Sequence, residues 1–481
     1  MPYFIDIDLS IKFAMVLLGL VLLAITLQFL RNPKRIIPND SESIVSVADG
    51  RVISVSELKD EVSPIGEPAM VIAVFMSPFN AHVNRVPIEG QVIYVEHKAG
   101  TYLEAFKLEA GTLNEQTKIV IEKPGYKVAF KQISGFVARR IVCNLKIGEK
   151  VRKGQKFGAT GFIGGNLAIK LLAEGSQVRV LLRKNSATEN LNGIGVKKFY
   201  GDYENVESLR EAVEDVDYIF HCAGAIKSAT GSLGYYKGNV VSTMGLLYAV
   251  AFDSKRIQRF VYVSSLSASG PAISLDRALT EEATCKPISL YGMSKHDGEV
   301  AVRMMADRVP FTIIRPSVVF GERDLEMLKP FQAIANGLLP VLGIKREKYL
   351  SFIYVQDLID GMISAATSIS ALNQTYYLTD PTPYSYRQFC EIIRKKLNKK
   401  FVLSFSLPEW SMYLPAFFVE LGMKLTGKAS ILSFDKAKEM KQDYWICSAE
   451  KAKRELGFQI KVSLEDAIEK TIVWAKLNKL L

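Results

Sequence analysis

The sequence predicts an α/β protein with a doubly wound parallel sheet, preceded by a β-rich domain and by an N-terminal transmembrane helix. Three observations predict this class. Strand-like and helix-like segments alternate over the C-terminal two-thirds of the 481 residues, which is typical of a parallel sheet covered by helices. Short Val-rich segments separated by Gly and Pro occupy residues 36–157. A single long uncharged apolar run lies near the N-terminus.

Composition excludes several classes of protein. Hydrophobic residues make up 48% of the chain and charged residues 23%, which excludes a disordered protein. The net charge of +11 is spread along the chain, so no basic tail predicts a nucleic-acid partner. The five cysteines are widely spaced without a CxxC, and the four histidines form no HExxH pair. We therefore expect neither a disulfide framework nor a metal site.

The apolar run from Phe13 to Leu30 has no charged residue. As a helix it would be about 27 Å long, close to the thickness of a bilayer core. Arg31, Lys34 and Arg35 follow it directly, which by the positive-inside rule places the remaining chain in the cytoplasm. Residues 1–35 are thus predicted to anchor a single-pass protein in the cell membrane, with membrane lipid as a partner. The alternative is a buried core helix.

Residues 36–157 predict a β-rich domain, and six motifs lie in or beside it. They read FLRNPKR (29–35), VADGRV (47–52), FMSPFNAHVNRVPIEGQV (75–92), NEQT (114–117), GFVARRIV (135–142) and KGQKFG (153–158). In this order the motifs resemble the phosphatidylserine decarboxylase family over about residues 29–158. In that family an Asp and a His help a Ser to attack its own preceding peptide bond, which leaves a pyruvoyl cofactor. The resemblance places Asp49 and His82 at the Asp and His positions.

The same resemblance implies a serine a few residues after Phe157–Gly158, and this serine is absent. The chain continues there as ATGFIGG (159–165). Because no other residue at this place can become the pyruvoyl group, we expect no pyruvoyl group and no decarboxylase activity. Asp49 and His82 are then expected to be an inherited remnant without catalytic use.

A second motif begins where the first family's pattern stops. Gly158, Gly161 and Gly164 have the G-x-x-G-x-x-G spacing and open an apolar helical run through Phe162 and Ile163. Glycines at such a turn let the backbone and the helix N-terminus approach a pyrophosphate, so a Rossmann-like dinucleotide site is predicted. The preceding segment, residues 149–157, is largely polar and predicts a weak first strand. This junction has the pattern of a gene fusion.

Further motifs downstream strengthen the prediction. They are DYIFHCAG (217–224), NVVSTMGLLYAV (239–250), RFVYVSSLSASG (259–270) and YGMSK (291–295). With the glycine motif they resemble the extended short-chain dehydrogenase/reductase family. That family comprises the NAD-dependent epimerases and dehydratases, with 3β-hydroxysteroid dehydrogenase-like members. The resemblance implies that Tyr291 is the acid/base, that Lys295 lowers its pKa, and that Ser265 holds the substrate oxygen.

The resemblance and the residues also predict the cofactor contacts. Arg183 ends the predicted second strand, where NAD enzymes carry an acidic residue, and a guanidinium there suits the 2′-phosphate of NADP. NADP is therefore expected, with NAD as the alternative. The predicted cofactor-binding residues are Gly158, Gly161, Phe162, Ile163, Gly164, Arg183, Asp202, His221, Ala223, Asn239, Tyr291 and Lys295.

Residues 158–481 are expected to form this domain, with a substrate subdomain mainly at 320–350 and 375–481. Leu350 stands where many nucleotide-sugar epimerases carry an Arg, although Lys345 or Arg346 could replace it. Together with the apolar stretch at 410–425, this favours a small hydrophobic hydroxyl or ketone substrate. A homodimer is a further expected partnership. Two alternatives stay open: a lipid decarboxylase and a non-catalytic fusion product.

Overall fold

A computed structural model describes residues 37–481, with gaps at 39, 41–42, 59–64, 66–68, 77–83, 102–112, 135–140, 142, 144, 146, 152, 154–161, 183–194, 229, 343–346, 408–412, 414–415, 417–432 and 479. The chain divides into two compact units. Unit 1 comprises Met1–Thr160 and Asn185–Asn192, and unit 2 comprises Gly161–Lys184 and Gly193–Leu481.

Unit 1 is built from short antiparallel strands. Its strands are β1 (Arg51–Leu58), β2 (Ala69–Phe75), β3 (Gly90–Lys98), β4 (Gln116–Lys123), β5 (Tyr126–Ile133) and β6 (Lys150–Val151). β1 pairs with β2, and a second sheet has the order β5-β4-β3-β6. Alternate residues of the second sheet point inward, and Val92, Ile119 and Ile121 form an apolar core with Val86 and Ile88.

Unit 2 alternates strands and helices. Its elements begin with α1 (Phe162–Ala173), β7 (Arg179–Leu182), β8 (Lys197–Tyr200), α2 (Arg210–Val213), β9 (Tyr218–His221), α3 (Ser232–Tyr236), α4 (Ser242–Asp253), β10 (Arg259–Val263), α5 (Leu290–Met304), β11 (Phe311–Pro316), β12 (Val318–Phe320), α6 (Leu328–Ala335), β13 (Leu338–Leu342), β14 (Tyr349–Leu350) and β15 (Phe352–Tyr354). They continue with α7 (Val355–Thr367), β16 (Gln374–Leu378), β17 (Tyr384–Ser385), α8 (Tyr386–Lys396), β18 (Leu403–Leu407), α9 (Phe434–Lys441), β19 (Tyr444–Trp445), α10 (Glu450–Leu456) and α11 (Leu464–Leu477).

The central sheet of unit 2 is parallel and is covered by helices on both faces. Its strand order is β16-β11-β10-β9. Along β10, Val261 and Val263 belong to the apolar core that includes α7 and α11. Phe260 and Tyr262 face the opposite core, formed with α4 and α5. Because side chains alternate along a strand, the apolar run of β10 supplies both cores, which is the Rossmann-like, doubly wound arrangement.

The described start of the junction between the two motifs pairs with the β-rich unit. Lys150–Val151 forms β6 and pairs antiparallel with Gly90–Gln91 of unit 1. β7 and β8 pair only with each other among the strands that the structure describes, and they form a separate parallel sheet. The start of the polar segment 149–157 therefore belongs to the β-rich unit. Residues 152 and 154–157 lie outside the described residues.

The predicted transmembrane helix and the predicted membrane localisation require correction. Within the described ranges, no helix combines the length and the apolar composition that a membrane span requires. The longest described helix, α5, has 15 residues and carries Lys295, Asp297 and Glu299, whereas a span needs about 20 apolar residues. The run Phe13–Leu30 lies outside the described residues. The fold class is thus corrected to a β-rich unit and a Rossmann-like unit, and a single-pass membrane protein is not supported.

Candidate active site

The candidate site lies where β9 and β10 end, at the carboxyl edge of the parallel sheet. Ligands bind at this edge in open α/β sheets because the loops there leave the strands toward solvent. Ala223 and Gly224 follow β9 after Cys222 and are exposed. Ser265 follows β10 and begins a short 3₁₀ turn, where its hydroxyl accepts a hydrogen bond from the Ser267 N–H at 3.1 Å. The strand ends thus bring together the first predicted groups.

The helix α5 carries Tyr291 and Lys295 one turn apart. Its N-cap is Ser289, whose hydroxyl accepts a hydrogen bond from the Gly292 N–H at 2.9 Å. Residues four apart lie on the same helix face, so Tyr291 and Lys295 point to the same side. Gly292 must be small, because a Cβ there would lie 2.3 Å from the Ser267 carbonyl oxygen. This close approach holds the start of α5 against the turn after β10.

The Lys295 ammonium is buried, with 4% of the residue exposed. Its Nζ donates a hydrogen bond to the Val263 carbonyl oxygen at 2.8 Å and lies 5.0 Å from the centre of the Tyr262 ring. Burial disfavours the charged form and lowers the pKa of Lys295 to about 8, while the charges of Cys222 and Glu299 oppose this shift. The Lys295 side chain is nevertheless mostly protonated, and therefore charged, at neutral pH.

The Tyr291 side chain is buried beside Ser265. Burial raises the pKa of Tyr291 to about 12, and the Ser265 hydroxyl acts in the opposite direction. Negative charge on Glu439 and the neighbouring Tyr235 also raise this pKa. In the protein without cofactor, Tyr291 is therefore a protonated phenol at neutral pH. The resemblance implies a lowered pKa when Lys295 acts together with a bound oxidised nicotinamide, and in the state without cofactor the Lys295 ammonium bonds to a backbone carbonyl.

Asn239 ties three segments of the site together. It lies in a π-helical turn, Lys237–Val241, and is 1% exposed. Its Oδ1 accepts a hydrogen bond from the Ala225 N–H at 2.7 Å, and its Nδ2 donates to the Ala225 carbonyl and to the Ser294 hydroxyl at 3.0 and 2.8 Å. Such π turns occur frequently at functional sites. A Cβ on Gly224 would lie 2.8 Å from Asn239 Oδ1 and 3.0 Å from Lys295 Nζ.

Two predicted cofactor residues lie in different surroundings from one another. His221 ends β9 and is 2% exposed, and its Nε2 lies 3.0 Å from the Thr243 hydroxyl. Burial, together with the Lys295 charge, lowers the pKa of His221 to about 3, so its imidazole is a neutral part of the core. Asp202 is exposed just after β8, and its Oδ1 accepts a hydrogen bond from the Glu204 N–H at 3.1 Å.

The remaining predicted residues divide between described and undescribed parts of the chain. Phe162, Ile163 and Gly164 form the first turn of α1, which holds no acidic residue. Asp49 lies half-buried in unit 1, just before β1. Gly158, Gly161, Arg183 and His82 lie outside the described residues, so the structure does not describe the start of the glycine motif or the predicted phosphate contact.

The structure adds groups that sequence reasoning missed. Glu299 lies one turn beyond Lys295 and is fully buried, and it accepts hydrogen bonds from Arg315 Nη2 and Nε at 2.6 and 2.9 Å and from the Ser264 hydroxyl at 2.6 Å. The i, i+4 spacing to Lys295 was a usable signal. Asp435 of α9 accepts a hydrogen bond from the Leu290 N–H at 2.7 Å. Because the two residues are 145 positions apart in the sequence, no local pattern predicts this contact.

Comparison with known families gives two matches in one chain. The phosphatidylserine decarboxylase family model matches residues 22–191, and the NAD dependent epimerase/dehydratase family model matches residues 157–378. The phosphatidylserine decarboxylase proenzyme of Carboxydothermus hydrogenoformans is 43% identical over 174 residues, which are 36% of this chain and 80% of that protein. The corresponding proenzyme of Chlorobium limicola is 40% identical over 141 residues, covering 29% of this chain and 66% of that protein.

Solved structures match the larger part of the chain. UDP-glucose 4-epimerase of Thermotoga maritima, solved with UDP-glucose, has a TM-score of 0.54 at 20% identity and covers 66% of this chain and 97% of that one. The dTDP-glucose 4,6-dehydratase of Bacillus anthracis, solved with NAD, has a TM-score of 0.52 at 19% identity and covers 66% and 94%. At this level of identity the likeness shows the fold.

Proposed function

Since the chain belongs to the phosphatidylserine decarboxylase family through its N-terminal part and carries an epimerase/dehydratase-type domain after it, we propose that its activity resides in the second domain. The proposed reaction is nicotinamide-dependent oxidation, reduction or epimerisation at a carbon that bears a hydroxyl or carbonyl oxygen. One observation carries this proposal. The Tyr291 phenol lies beside Ser265, and Lys295 is buried one turn away at the carboxyl edge of a doubly wound sheet.

The described residues fit a dinucleotide. α1 has twelve residues and no acid in its first turn, so its N-terminus suits a pyrophosphate. A Cβ on Gly164 would lie 3.5 Å from the Cβ of Cys222, so the helix start packs closely against the end of β9. Ala223 and Gly224 leave an exposed backbone surface beside it. The turn of α1, the exposed loop after β9 and Lys295 would hold the cofactor.

The proposed mechanism assigns each group a separate task. When bound, the nicotinamide supplies or accepts the hydride. Tyr291 donates a proton to the substrate oxygen in the reducing direction, which its protonated state permits, and accepts one in the oxidising direction. Ser265 hydrogen-bonds the same oxygen and orients it toward the phenol. The Lys295 charge favours the tyrosinate once its hydrogen bond turns from the Val263 carbonyl toward the site.

The proposed substrate is a small hydrophobic alcohol or ketone. Leu350, at the position where an Arg would grip a diphosphate, is half-buried and packs against the apolar cluster of Leu266, Tyr377, Trp445 and Cys447. An apolar residue cannot bind a diphosphate by charge, which supports the hydrophobic class. Sugar nucleotides, the substrates named for the solved structures, are the alternative class.

Cofactor binding is the first test. We propose NAD, because solved neighbours hold it, with NADP as the alternative that Arg183 predicts. Titration of the full-length chain with NADH and with NADPH, followed by nicotinamide fluorescence, is expected to show saturable binding of at least one cofactor. Binding of neither would favour the alternative of a non-catalytic fusion product.

Tyr291→Phe tests the chemistry. Removal of the phenolic hydroxyl is expected to lower turnover of any accepted substrate by about 10²-fold or more, the usual contribution of an acid/base group. NADH binding should stay within about twofold, since the ring remains. The matched control is Tyr248→Phe, an exposed tyrosine of α4. Full turnover by Tyr291→Phe would refute the proposed role.

The decarboxylase half is proposed to be inactive, because the cleavage serine is absent after Phe157–Gly158. Intact mass spectrometry of the purified chain is expected to show one polypeptide of 53.6 kDa. A pair of fragments whose C-terminal member carries a pyruvoyl group would establish the second candidate function, phosphatidylserine decarboxylation, instead.

A further inference from the structure

Two carboxylates of α9 meet the first turn of α5, the helix that carries Tyr291. Asp435 Oδ1 accepts a hydrogen bond from the Leu290 N–H at 2.7 Å, and its Oδ2 accepts one from the Tyr291 N–H at 3.3 Å. Glu439, one turn later on α9, accepts a hydrogen bond from the Ser289 hydroxyl at 2.6 Å. The backbone N–H groups at a helix start have no partner within the helix, so these contacts act together with the Ser289 N-cap to hold the start of α5.

Burial makes these contacts strong. The exposed fractions are 8% for Asp435, 4% for Glu439 and 1% for Ser289. A carboxylate at a helix N-terminus interacts favourably with the helix dipole, and low solvent exposure reduces the screening of that interaction. A carboxylate that accepts a backbone N–H also forms a charge-assisted hydrogen bond, which is stronger than a neutral one.

The helix α9 is itself held from several directions. Its N-cap Ser433 accepts a hydrogen bond from the Lys436 N–H at 3.2 Å, and Lys436 Nζ pairs with Glu439 Oε2 at 2.7 Å. The Trp445 indole donates to the Glu439 carbonyl oxygen at 2.8 Å. Trp445 lies in β19, which pairs with β14. These contacts connect the helix that carries the two carboxylates to the strands behind it.

We propose that Asp435 and Glu439 are positioning residues for Tyr291, with Asp435 fixing the backbone of the tyrosine and Glu439 its electrostatic surroundings. The inference rests on the proposed role of Tyr291 as the acid/base. It makes α9, a helix of the predicted substrate subdomain, part of the machinery that orients the reacting hydroxyl. A displacement of α9 would then change the position of Tyr291 through the two hydrogen bonds of Asp435, and its ionisation through the charge of Glu439.

The groups that face Tyr291 come from several elements. Glu439 and Tyr235 raise its pKa, and Ser265 lowers it. Lys295 lies one turn further on α5 and bonds to Val263. Glu439→Gln keeps an oxygen that can accept the Ser289 hydroxyl but removes the negative charge. Asp435→Asn removes the negative charge and one of the two oxygens that accept the Leu290 and Tyr291 N–H groups, since the Asn NH₂ group cannot accept a hydrogen bond.

The test uses the full-length chain labelled with ¹³Cζ-tyrosine, together with amide hydrogen exchange. Tyr291→Phe identifies the resonance of Tyr291. In Glu439→Gln the onset of Tyr291 ionisation is expected to move down by at least about half a pH unit, with exchange of the Leu290 and Tyr291 amides unchanged. In Asp435→Asn these two amides are expected to exchange about tenfold faster. Glu450→Gln, an exposed carboxylate of α10, is the control and should change neither quantity.

The outcomes are distinguishable. Unchanged ionisation in Glu439→Gln, or unchanged amide exchange in Asp435→Asn, in chains whose circular dichroism is native, would overturn the positioning role. If both changes occur and Tyr291→Phe nevertheless keeps full turnover, the positioning stands and the proposed function fails. If Tyr291→Phe loses turnover while both variants behave as the control, the function stands and the positioning fails.

Discussion

The Lys295 side chain places a positive charge in a nearly solvent-free part of the protein interior. One backbone carbonyl, that of Val263, accepts its hydrogen bond, and the Tyr262 ring lies beside it. Such burial is unfavourable for a charged group unless it is compensated, and the lowered pKa of about 8 expresses this. Perturbed ionisable groups of this kind are frequent at functional sites, which agrees with the proposed role of Lys295.

Lys295→Met is expected to change the pH dependence of stability. The folded pKa of about 8 lies below the ordinary value of 10.5, so the native chain loses stability as pH falls from 10.5 toward 8. The Met variant lacks this loss. As pH falls from 10.5 to 7, the unfolding free energy of Lys295→Met minus that of the native chain should therefore rise by roughly 2 to 3 kcal/mol. Urea unfolding at the two pH values measures this difference.

An exposed lysine provides the control for that measurement. Lys476→Met, near the end of α11, removes a solvated charge and should leave the pH dependence of unfolding unchanged. Equal pH dependence of native chain and Lys295→Met would show that the Lys295 ammonium is not buried in solution.

At the level of single residues, chemical type and spacing predicted on which helix face the side chains lie, but not what surrounds them. The YxxxK spacing placed Tyr291 and Lys295 on one helix face, as the structure has them. The same reasoning could not foresee that Lys295 bonds to Val263, or that burial raises the pKa of Tyr291 to about 12. Both depend on the distance to atoms of other elements.

Among the elements, α4 shows how closely two backbone segments approach each other near the candidate site. A Cβ on Gly245 would lie 2.1 Å from the Tyr203 carbonyl oxygen, so the helix touches the backbone of the loop that follows β8. Asp202, a predicted cofactor residue, is the preceding residue in that loop. The glycine therefore serves packing, although an isolated helix would prefer Ala by about 1 kcal/mol.

Gly245→Ala is expected to destabilise the protein despite its better helix propensity. The added methyl must displace a backbone carbonyl, and overpacking of this kind typically costs about 1 to 3 kcal/mol. Urea unfolding should show the loss. Met244→Ala, on the exposed side of the same helix, should change the unfolding free energy by about 0.5 kcal/mol or less. A stabilised Gly245→Ala would mean that α4 can move away from Tyr203.

The helix α5 illustrates which elements were predictable. Its start at Ser289 and the face that carries Tyr291 and Lys295 follow from local residues: the N-cap hydroxyl and the four-residue spacing. Its second set of caps comes from Asp435 and Glu439 of α9, far along the chain. Local patterns specify helices, whereas capping from another element exists only once both elements are in place.

For the molecule as a whole, each of the two units has an apolar core of its own in the described part of the chain. The core of unit 1 consists of residues between Val86 and Val151, and the three cores of unit 2 begin at Leu167. Cooperative unfolding follows shared packing, so the two units should unfold separately. Scanning calorimetry of the full chain is expected to show two transitions.

NADH provides a way to assign these transitions. A ligand that binds only the native second unit stabilises it by about 2.7 kcal/mol at one hundred times its Kd, so one transition should rise by several degrees. The other should stay in place. One transition that shifts as a whole would show that the units unfold together. The same experiment run with NADPH compares the two cofactors.

The sequence by itself determined the two families, their order and the point where they meet. These depend on motifs of contiguous residues, such as VADGRV, ATGFIGG and YGMSK, and on the alternation of strands and helices, because such patterns reflect local backbone geometry. The weak first strand that the polar stretch before Gly158 predicts stays a prediction, because residues 152 and 154–161 lie outside the described residues.

Tertiary structure alone decided the surroundings of the reacting groups and the partner of the junction. Lys150–Val151 pairs with Gly90–Gln91, since strand pairing depends on which edge is available and not on the segment's own polarity. The ionisation of Tyr291 and Lys295, the buried Glu299–Arg315 pair and the carboxylates of α9 likewise depend on distances between elements remote in sequence. Electrostatic energy in a poorly solvated interior varies steeply with such distances, and no local sequence pattern encodes them.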